Sequence, residues 1–170
     1  RGQRLDHFVP TDEKIGLINE LSATGIDEIE ITSFTHPKAV PNLRDAEEVA
    51  AGIDRYDDVT YRALVPNGVG AERAVDADVD KVNALTTVSE AYCRKNQGMT
   101  TEENLDALRD VVEVAHGAGL EVEAGIATSF FCPYEGRIPQ ERTLSVLDSA
   151  VDAGVDQVTL ATSMGLATPV

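Results

Sequence analysis

The chain has 170 residues, 42% of them hydrophobic, and a net charge of −16 from 30 acidic against 14 basic residues. That length suggests one domain with one good core. No apolar run approaches the roughly 20 residues of a membrane span, no secretory signal pattern is visible, and the acidic balance argues against a basic nucleic-acid-binding face. Cys93 and Cys132 form neither a disulfide framework nor a metal-ligand spacing, so a reducing, cytoplasmic setting is the expectation.

The acidic residues are scattered through helices and turns, and only Lys14, Lys38, Lys81 and Lys95 are lysines. Two readings stand: an ordinary well-solvated surface, or adaptation to high salt, where a carboxylate-rich, lysine-poor surface stays soluble.

In chain order, Ile15, Ile18 and Leu21 mark a helix over 11–24, and the apolar run at 26–32 reads as a strand. A short helix fits 45–53, a strand 59–65, a short helix 70–77 and a strand 79–86. Leu105, Leu108, Val112 and Ala115 then mark a helix over 102–117, with Thr100 and Glu103 at capping-box spacing. A strand follows at 120–128. Next comes a helix over 139–153 with Pro139 in its first turn, and a strand at 155–161. Gly25, Gly119 and Gly154 sit where helices end and strands begin.

Alternating strands and helices imply a parallel sheet, either doubly wound and open or closed as a (β/α)8 barrel. Pro66-Asn67-Gly68-Val69-Gly70 lacks the dinucleotide-binding spacing. Strand 26–32 also carries Glu28, Glu30 and Thr32 on one face, whereas a strand covered by helices on both faces should be apolar throughout. The barrel is favoured. The strand at 155–161 would be the sixth, counting a first strand that ends at Arg1. The expectation is therefore a single partial TIM-barrel domain over 1–170, holding about strands two to six. Its first and last strands would have open edges, which invite association between copies.

Polar residues collect at the carboxyl ends of these strands, where a barrel enzyme builds its site. They are Arg1; Glu30, Thr32 and Ser33; Pro66 and Asn67; Thr86, Ser89 and Glu90; Thr128 and Ser129; Thr162 and Ser163. Ser and Thr at strand ends also serve as turn formers. Glu30, within an apolar strand, needs a partner: a structural arginine, or an active-site role. His36 and His7 lack companions at ligand spacing, and His116 reads as a surface residue. Neither cysteine has a histidine neighbour, so packing is the default for both.

The stretches Glu30-Ile-Thr-Ser-Phe with Pro37-Lys38-Ala-Val-Pro41, Val65-Pro66-Asn67, and Ser89-Glu90 with Arg94-Lys95-Asn96 resemble the hydroxymethylglutaryl-CoA lyase family. So do Cys132-Pro-Tyr-Glu-Gly136 and Leu160-Ala-Thr-Ser-Met-Gly165 with Thr168-Pro169. The resemblance spans essentially the whole chain. It implies a TIM-barrel, divalent-metal-dependent (Mg or Mn) lyase that splits an acyl-CoA substrate, hydroxymethylglutaryl-CoA, into acetyl-CoA and acetoacetate. It implies catalytic roles for Arg1 and Glu30, and substrate contacts for Ser33, Asn67, Ser89, Ser129, Cys132 and Thr162.

The chain departs from the family pattern at the metal ligands. Gly2 follows Arg1 where the family has Asp, and Thr162 stands where the sixth-strand loop has Asp. The His-x-His pair of the later strands has no counterpart. No metal ligand is therefore assigned, and the chain alone is expected to bind no divalent ion tightly unless Asp6 substitutes. A non-catalytic barrel remnant and a condensing synthase of the same superfamily are the alternative readings.

Overall fold

The computed structural model describes residues 7–167. Helix α1 (Thr11–Ser22) leads into β1 (Glu28–Ser33), followed by α2 (Ala46–Gly52) and β2 (Thr60–Val65). Then come α3 (Gly68–Asp76), β3 (Lys81–Thr87), α4 (Glu90–Gln97), α5 (Thr101–Gly117) and β4 (Glu121–Ala127). A small hairpin of β5 (Phe131–Cys132) and β6 (Gly136–Arg137) precedes α6 (Gln140–Asp152) and β7 (Gln157–Leu160). The main sheet runs β1-β2-β3-β4-β7, and every neighbouring pair is parallel.

The five expected strands all form, each within a few residues of its expected bounds. Helix α4, the β5–β6 hairpin and a short 3-10 helix at Pro41–Leu43 escaped the sequence reading. Helix α4 buries only Cys93, so it shows no apolar period. The β5–β6 hairpin is two residues on each side, too short for any alternation to register. Thr100 and Glu103 form the full capping box at the start of α5. Pro139 sits one position earlier than expected, as the N-cap of α6.

Side chains alternate across each strand, and that alternation sorts the sheet into two unlike faces. Ile29, Ile31, Tyr61, Ala63, Val65, Val82, Ala84, Val122 and Ala124 are buried in one core with Ile18, Val49, Ala71, Ala74, Leu108, Val111, Ala115 and Ala150 of the helices. The other face carries Glu28, Glu30, Arg62, Lys81, Asn83, Glu123 and Gln157, joined by hydrogen bonds and ion pairs. A doubly wound sheet would bury both faces under helices. This sheet buries one and keeps a charged strip on the other, as the inner wall of a barrel does.

The strip is held by opposite charges in register. Glu123 is 3% exposed and takes Arg62 Nη1 at 2.6 Å and Lys81 Nζ at 3.3 Å. Glu28 takes the same two cations at 2.5 and 3.0 Å, and Lys81 also donates to Gln157 Oε1 at 2.6 Å. Burial pushes the Glu123 carboxyl up. Thr159, Arg62 and Lys81 together outweigh it and hold the group below the usual range. For Lys81 burial pulls the ammonium down, but Glu28 and Glu123 outweigh it and raise it.

Among the described residues β1 and β7 are the edges of the sheet. Exposed apolar side chains sit on the elements beside them: Leu17 and Leu21 of α1, Leu144 and Val151 of α6, and Leu160 of β7.

Lys81→Met is expected to destabilise the chain by about 3 kcal/mol, near the low end for breaking a buried pair because Arg62 still faces Glu123. Urea unfolding of the two proteins measures it. A loss below about 0.5 kcal/mol, as for an exposed pair, would show that the strip is solvated.

Candidate active site at the carboxyl ends of the strands

The loops that follow β1, β2 and β3 enclose a cleft of about 820 Å³ lined by Phe34, His36, Val40, Arg44, Pro66, Asn67, Arg73, Gln97 and Met99, among others. It lies at the carboxyl ends of the strands. A second hollow of about 530 Å³ lies at the opposite end, where α2 and α3 finish at Ile53 and Ala77.

The loop after β1 is anchored before it reaches the cleft. Arg73 of α3 donates from Nη1 to the Phe34 carbonyl at 2.9 Å and pairs with Glu47 at 2.6 Å. Phe34 itself is buried. Gly70 lets α3 pass this loop closely, since a Cβ there would sit 2.7 Å from Pro66 Cδ and 3.3 Å from the Phe34 carbonyl oxygen.

Glu30 lies on the charged face of β1. Its carboxylate accepts from Asn83 Nδ2 at 3.1 Å and lies 3.5 Å from Arg62 Nε, with the side chain 38% exposed. The β1–β2 pairing slips between Glu30 and Thr32, a bulge of the kind that re-aims side chains beside functional sites. Of the two alternatives for Glu30, the structural arginine partner is present in Arg62, and the carboxylate stands on the charged face of the sheet.

The remaining expected site residues fall into four groups. Arg1 and Asp6 lie outside the described residues. Asn67 lines the cleft and Ser33 does not, and both hold local backbone: Ser33 Oγ accepts from Thr35 N at 3.3 Å and meets Thr35 Oγ1 at 2.7 Å, while Asn67 Oδ1 caps α3 through Gly70 N. Ser89, Ser129 and Cys132 are all buried. Ser129 Oγ donates to the Ile126 carbonyl at 2.7 Å. Thr162 is exposed on the loop after β7.

Ser89 and Cys132 meet in a knot that the sequence reading missed. Ser89 Oγ caps α4 by accepting from Tyr92 N at 3.1 Å, donates to Glu135 Oε1 at 2.8 Å and touches Cys132 Sγ at 3.0 Å. Glu135 also accepts from Ala91 N at 2.8 Å and from Arg142 Nη1 at 2.6 Å. One carboxylate thus joins the β5–β6 hairpin, the amino end of α4 and the first turns of α6. Burial raises the Glu135 carboxyl, but Ala91 N–H, Ser89 and Arg142 outweigh it and hold it low. Tyr134 of the hairpin faces Tyr92 at 6.2 Å between ring centres, with Lys95 Nζ 4.2 Å from the Tyr134 ring centre. The signal for this knot was the Cys-Pro-Tyr-Glu-Gly stretch itself, but nothing local says that Glu135 reaches back to residue 89.

Two non-glycine residues at this end have left-handed backbone, Thr128 at φ 55° and Ser163 at φ 53°. They are bonded to each other, Thr128 N donating to Ser163 Oγ at 2.7 Å. A β-branched residue held there costs on the order of 1–2 kcal/mol, and such strain concentrates at functional sites.

Among the described residues no three His, Cys, Asp or Glu side chains converge on a point that could hold a metal ion. His36 Nδ1 accepts from Lys38 N, and His116 pairs with Asp156 at 2.9 Å. Cys93 is buried, and its thiol is pushed up to about 11, chiefly by burial, which disfavours the thiolate a nucleophile needs.

The HMGL-like family matches residues 2–170. The chain belongs to this family. It is 41% identical over 162 residues to hydroxymethylglutaryl-CoA lyase YngG of Bacillus subtilis, covering 95% of this chain and 54% of that one. Against the mitochondrial hydroxymethylglutaryl-CoA lyase of Mus musculus it is 35% identical, covering 95% and 50%. The chain thus spans about half the length of the curated relatives it matches. The Bacillus subtilis HMG-CoA lyase structure superposes with a TM-score of 0.95 at 41% identity, over 98% of this chain and 56% of that one. An Acinetobacter baumannii HMG-CoA lyase, solved with coenzyme A and 3-methylmalate, superposes with a TM-score of 0.94 at 40% identity, over 98% and 54%. The parallel sheet of this HMGL-like chain is accordingly part of a TIM barrel, and its charged face is the barrel's inner wall.

Glu135→Gln is expected to cost about 1–3 kcal/mol at neutral pH, because Ser89, Ala91 N and Arg142 lose a charged acceptor. The Glu135 carboxyl is lowered in the folded state, so its contribution is complete above about pH 4.3 and fades as pH falls through the lower folded value. The stability gap between wild type and variant, measured by urea unfolding from pH 7 to pH 3, should therefore narrow in acid. A constant gap would count against the latch.

Proposed function

We propose that this chain supplies much of the active-site face of an acyl-CoA carbon–carbon lyase that cleaves hydroxymethylglutaryl-CoA to acetyl-CoA and acetoacetate. The observation that carries the reading is the close superposition on a lyase that holds coenzyme A. The cleft supports it, because an opening of about 820 Å³ at the strand ends suits a drug-sized or larger ligand. An acyl-CoA would enter there with its acyl end toward Glu30.

The chemistry is a reverse Claisen cleavage. The substrate's tertiary hydroxyl loses its proton and becomes a ketone. The adjacent carbon–carbon bond breaks, and its electron pair goes to the thioester α-carbon as an enolate that is then protonated. Glu30, an acceptor when ionised, is the residue proposed to hold or move a proton at the reacting hydroxyl. Asn83 and Arg62 keep its carboxylate at one place. Arg1 is proposed to stabilise the enolate. The loop held by Arg73 would form one wall of the acyl-CoA cleft.

The family depends on a divalent cation, which as a Lewis acid would polarise the hydroxyl and a carboxylate oxygen. The described residues do not fit that ion by themselves. Glu30 is the one carboxylate proposed for the site, and it already has two protein partners. An oxygen site needs several ligands converging. The surface composition, 30 acidic residues with four lysines, supports a cytoplasm of high salt as the setting.

An assay with hydroxymethylglutaryl-CoA and Mg²⁺ or Mn²⁺ tests the reading. The intact gene product should release acetoacetate, and Glu30→Gln should lower kcat by about 10²- to 10⁴-fold. The isolated 170-residue chain should show neither turnover nor a micromolar Mn²⁺ site by calorimetry. A micromolar site abolished by Asp6→Ala would overturn the ligand assignment. An inactive intact product would favour a non-catalytic barrel.

A further inference from the structure

The charged face contains two polar atoms that its network leaves over. Among the described residues Arg62 Nε and Asn83 Oδ1 are buried with no hydrogen-bond partner. Both belong to side chains that meet Glu30. Arg62 cannot close on Glu30, because its Nη1 is committed to Glu28 at 2.5 Å and Glu123 at 2.6 Å, leaving Nε at 3.5 Å. The Asn83 amide at 3.1 Å is then the hydrogen bond that Glu30 has among the described residues. A carboxylate only accepts, so Asn83 must present Nδ2 to Glu30, which leaves Oδ1 pointing away.

Gly125 of the neighbouring strand receives that other end. A Cβ at position 125 would lie 2.7 Å from Asn83 Oδ1 and 3.6 Å from Nδ2. No positive φ is involved at Gly125, so space and not backbone freedom is what the missing side chain provides. An added methyl would meet the far end of a side chain that can move, and the amide would swing off Glu30.

We propose that Asn83 is a positioning residue for Glu30, and that Gly125 keeps the room its amide needs. The inference rests on the reading of Glu30 as the active-site carboxylate. Glu30 is 38% exposed, and an exposed glutamate samples several rotamers. One fixed donor on its Oε2 narrows that sampling, and misplacement by about 1 Å is enough to lower a reaction's rate.

The test uses Asn83→Ala, Gly125→Ala, Glu30→Gln and their pairwise combinations in the intact gene product, with kinetics on hydroxymethylglutaryl-CoA. Asn83→Ala and Gly125→Ala should each lower kcat about tenfold with KM changed less than about twofold. Neither should lower kcat further once Glu30→Gln is present. Gly125→Ala should add nothing to Asn83→Ala, because the methyl then meets no amide. Additive losses, or an unchanged kcat in Asn83→Ala beside a dead Glu30→Gln, would overturn the proposal. A Glu30→Gln variant of full activity would instead overturn the active-site reading. In that case the positioning claim is decided by side-chain couplings of Glu30 in NMR of the 170-residue chain. One rotamer in wild type and averaging in both Asn83→Ala and Gly125→Ala supports it; identical couplings in all three refute it.

Discussion

Glu123 is 3% exposed in the middle of a parallel sheet, and the other inner-wall contacts follow from how its charge is met. An unpaired buried carboxylate would cost several kcal/mol. Arg62 and Lys81 meet it from the next two strands, and Glu28 then balances the second positive charge. The four residues come from β1, β2, β3 and β4, so the ion pairs also fix strand register. A one-residue slip in any of these strands would turn its charge into the apolar core and an apolar side chain toward the ions.

That constraint separates the two faces by job. The helix face is a mostly aliphatic core rich in small residues, with Ala46, Ala63, Ala71, Ala74, Ala115, Ala124 and Ala150 essentially fully buried, which lets helices lie close to strands. The inner face is charged through its middle and gives way to Leu64 and Leu85 toward its carboxyl end, and Glu30 is the last charged residue before the β1 bulge. The bonds that shape the site are mostly not on the sheet. Arg73, Ser89, Glu135 and Thr128 tie loops to helices and to one another.

Charge does a different kind of work on the outside. The 30 acidic residues outnumber the 14 basic ones, so the chain carries a large net negative charge. It sets solubility and long-range repulsion, both screened by salt. The inner strip is shielded from that screening by burial, so the two populations of charge should respond separately to ionic strength.

The pattern of apolar runs and helical spacings by itself determined the five strands, most helices, the parallel sheet and the polar face of the first of those strands. These are local properties of period and parity, and each is written in consecutive residues. The capping box at Thr100 and the glycines at 25, 119 and 154 were legible for the same reason. Arg62, Lys81 and Glu123 carried the same signal as Glu30, a charge at alternating positions in an apolar strand, and parity could have found them. Only the tertiary structure decided who meets whom. Glu135 reaches Ser89 across 46 residues, and Glu123 reaches Arg62 across 61. The room that Gly125 leaves for Asn83 exists only once β3 and β4 lie side by side. Pairing across strands depends on the distance between chains in space, and a single sequence records distance only along itself.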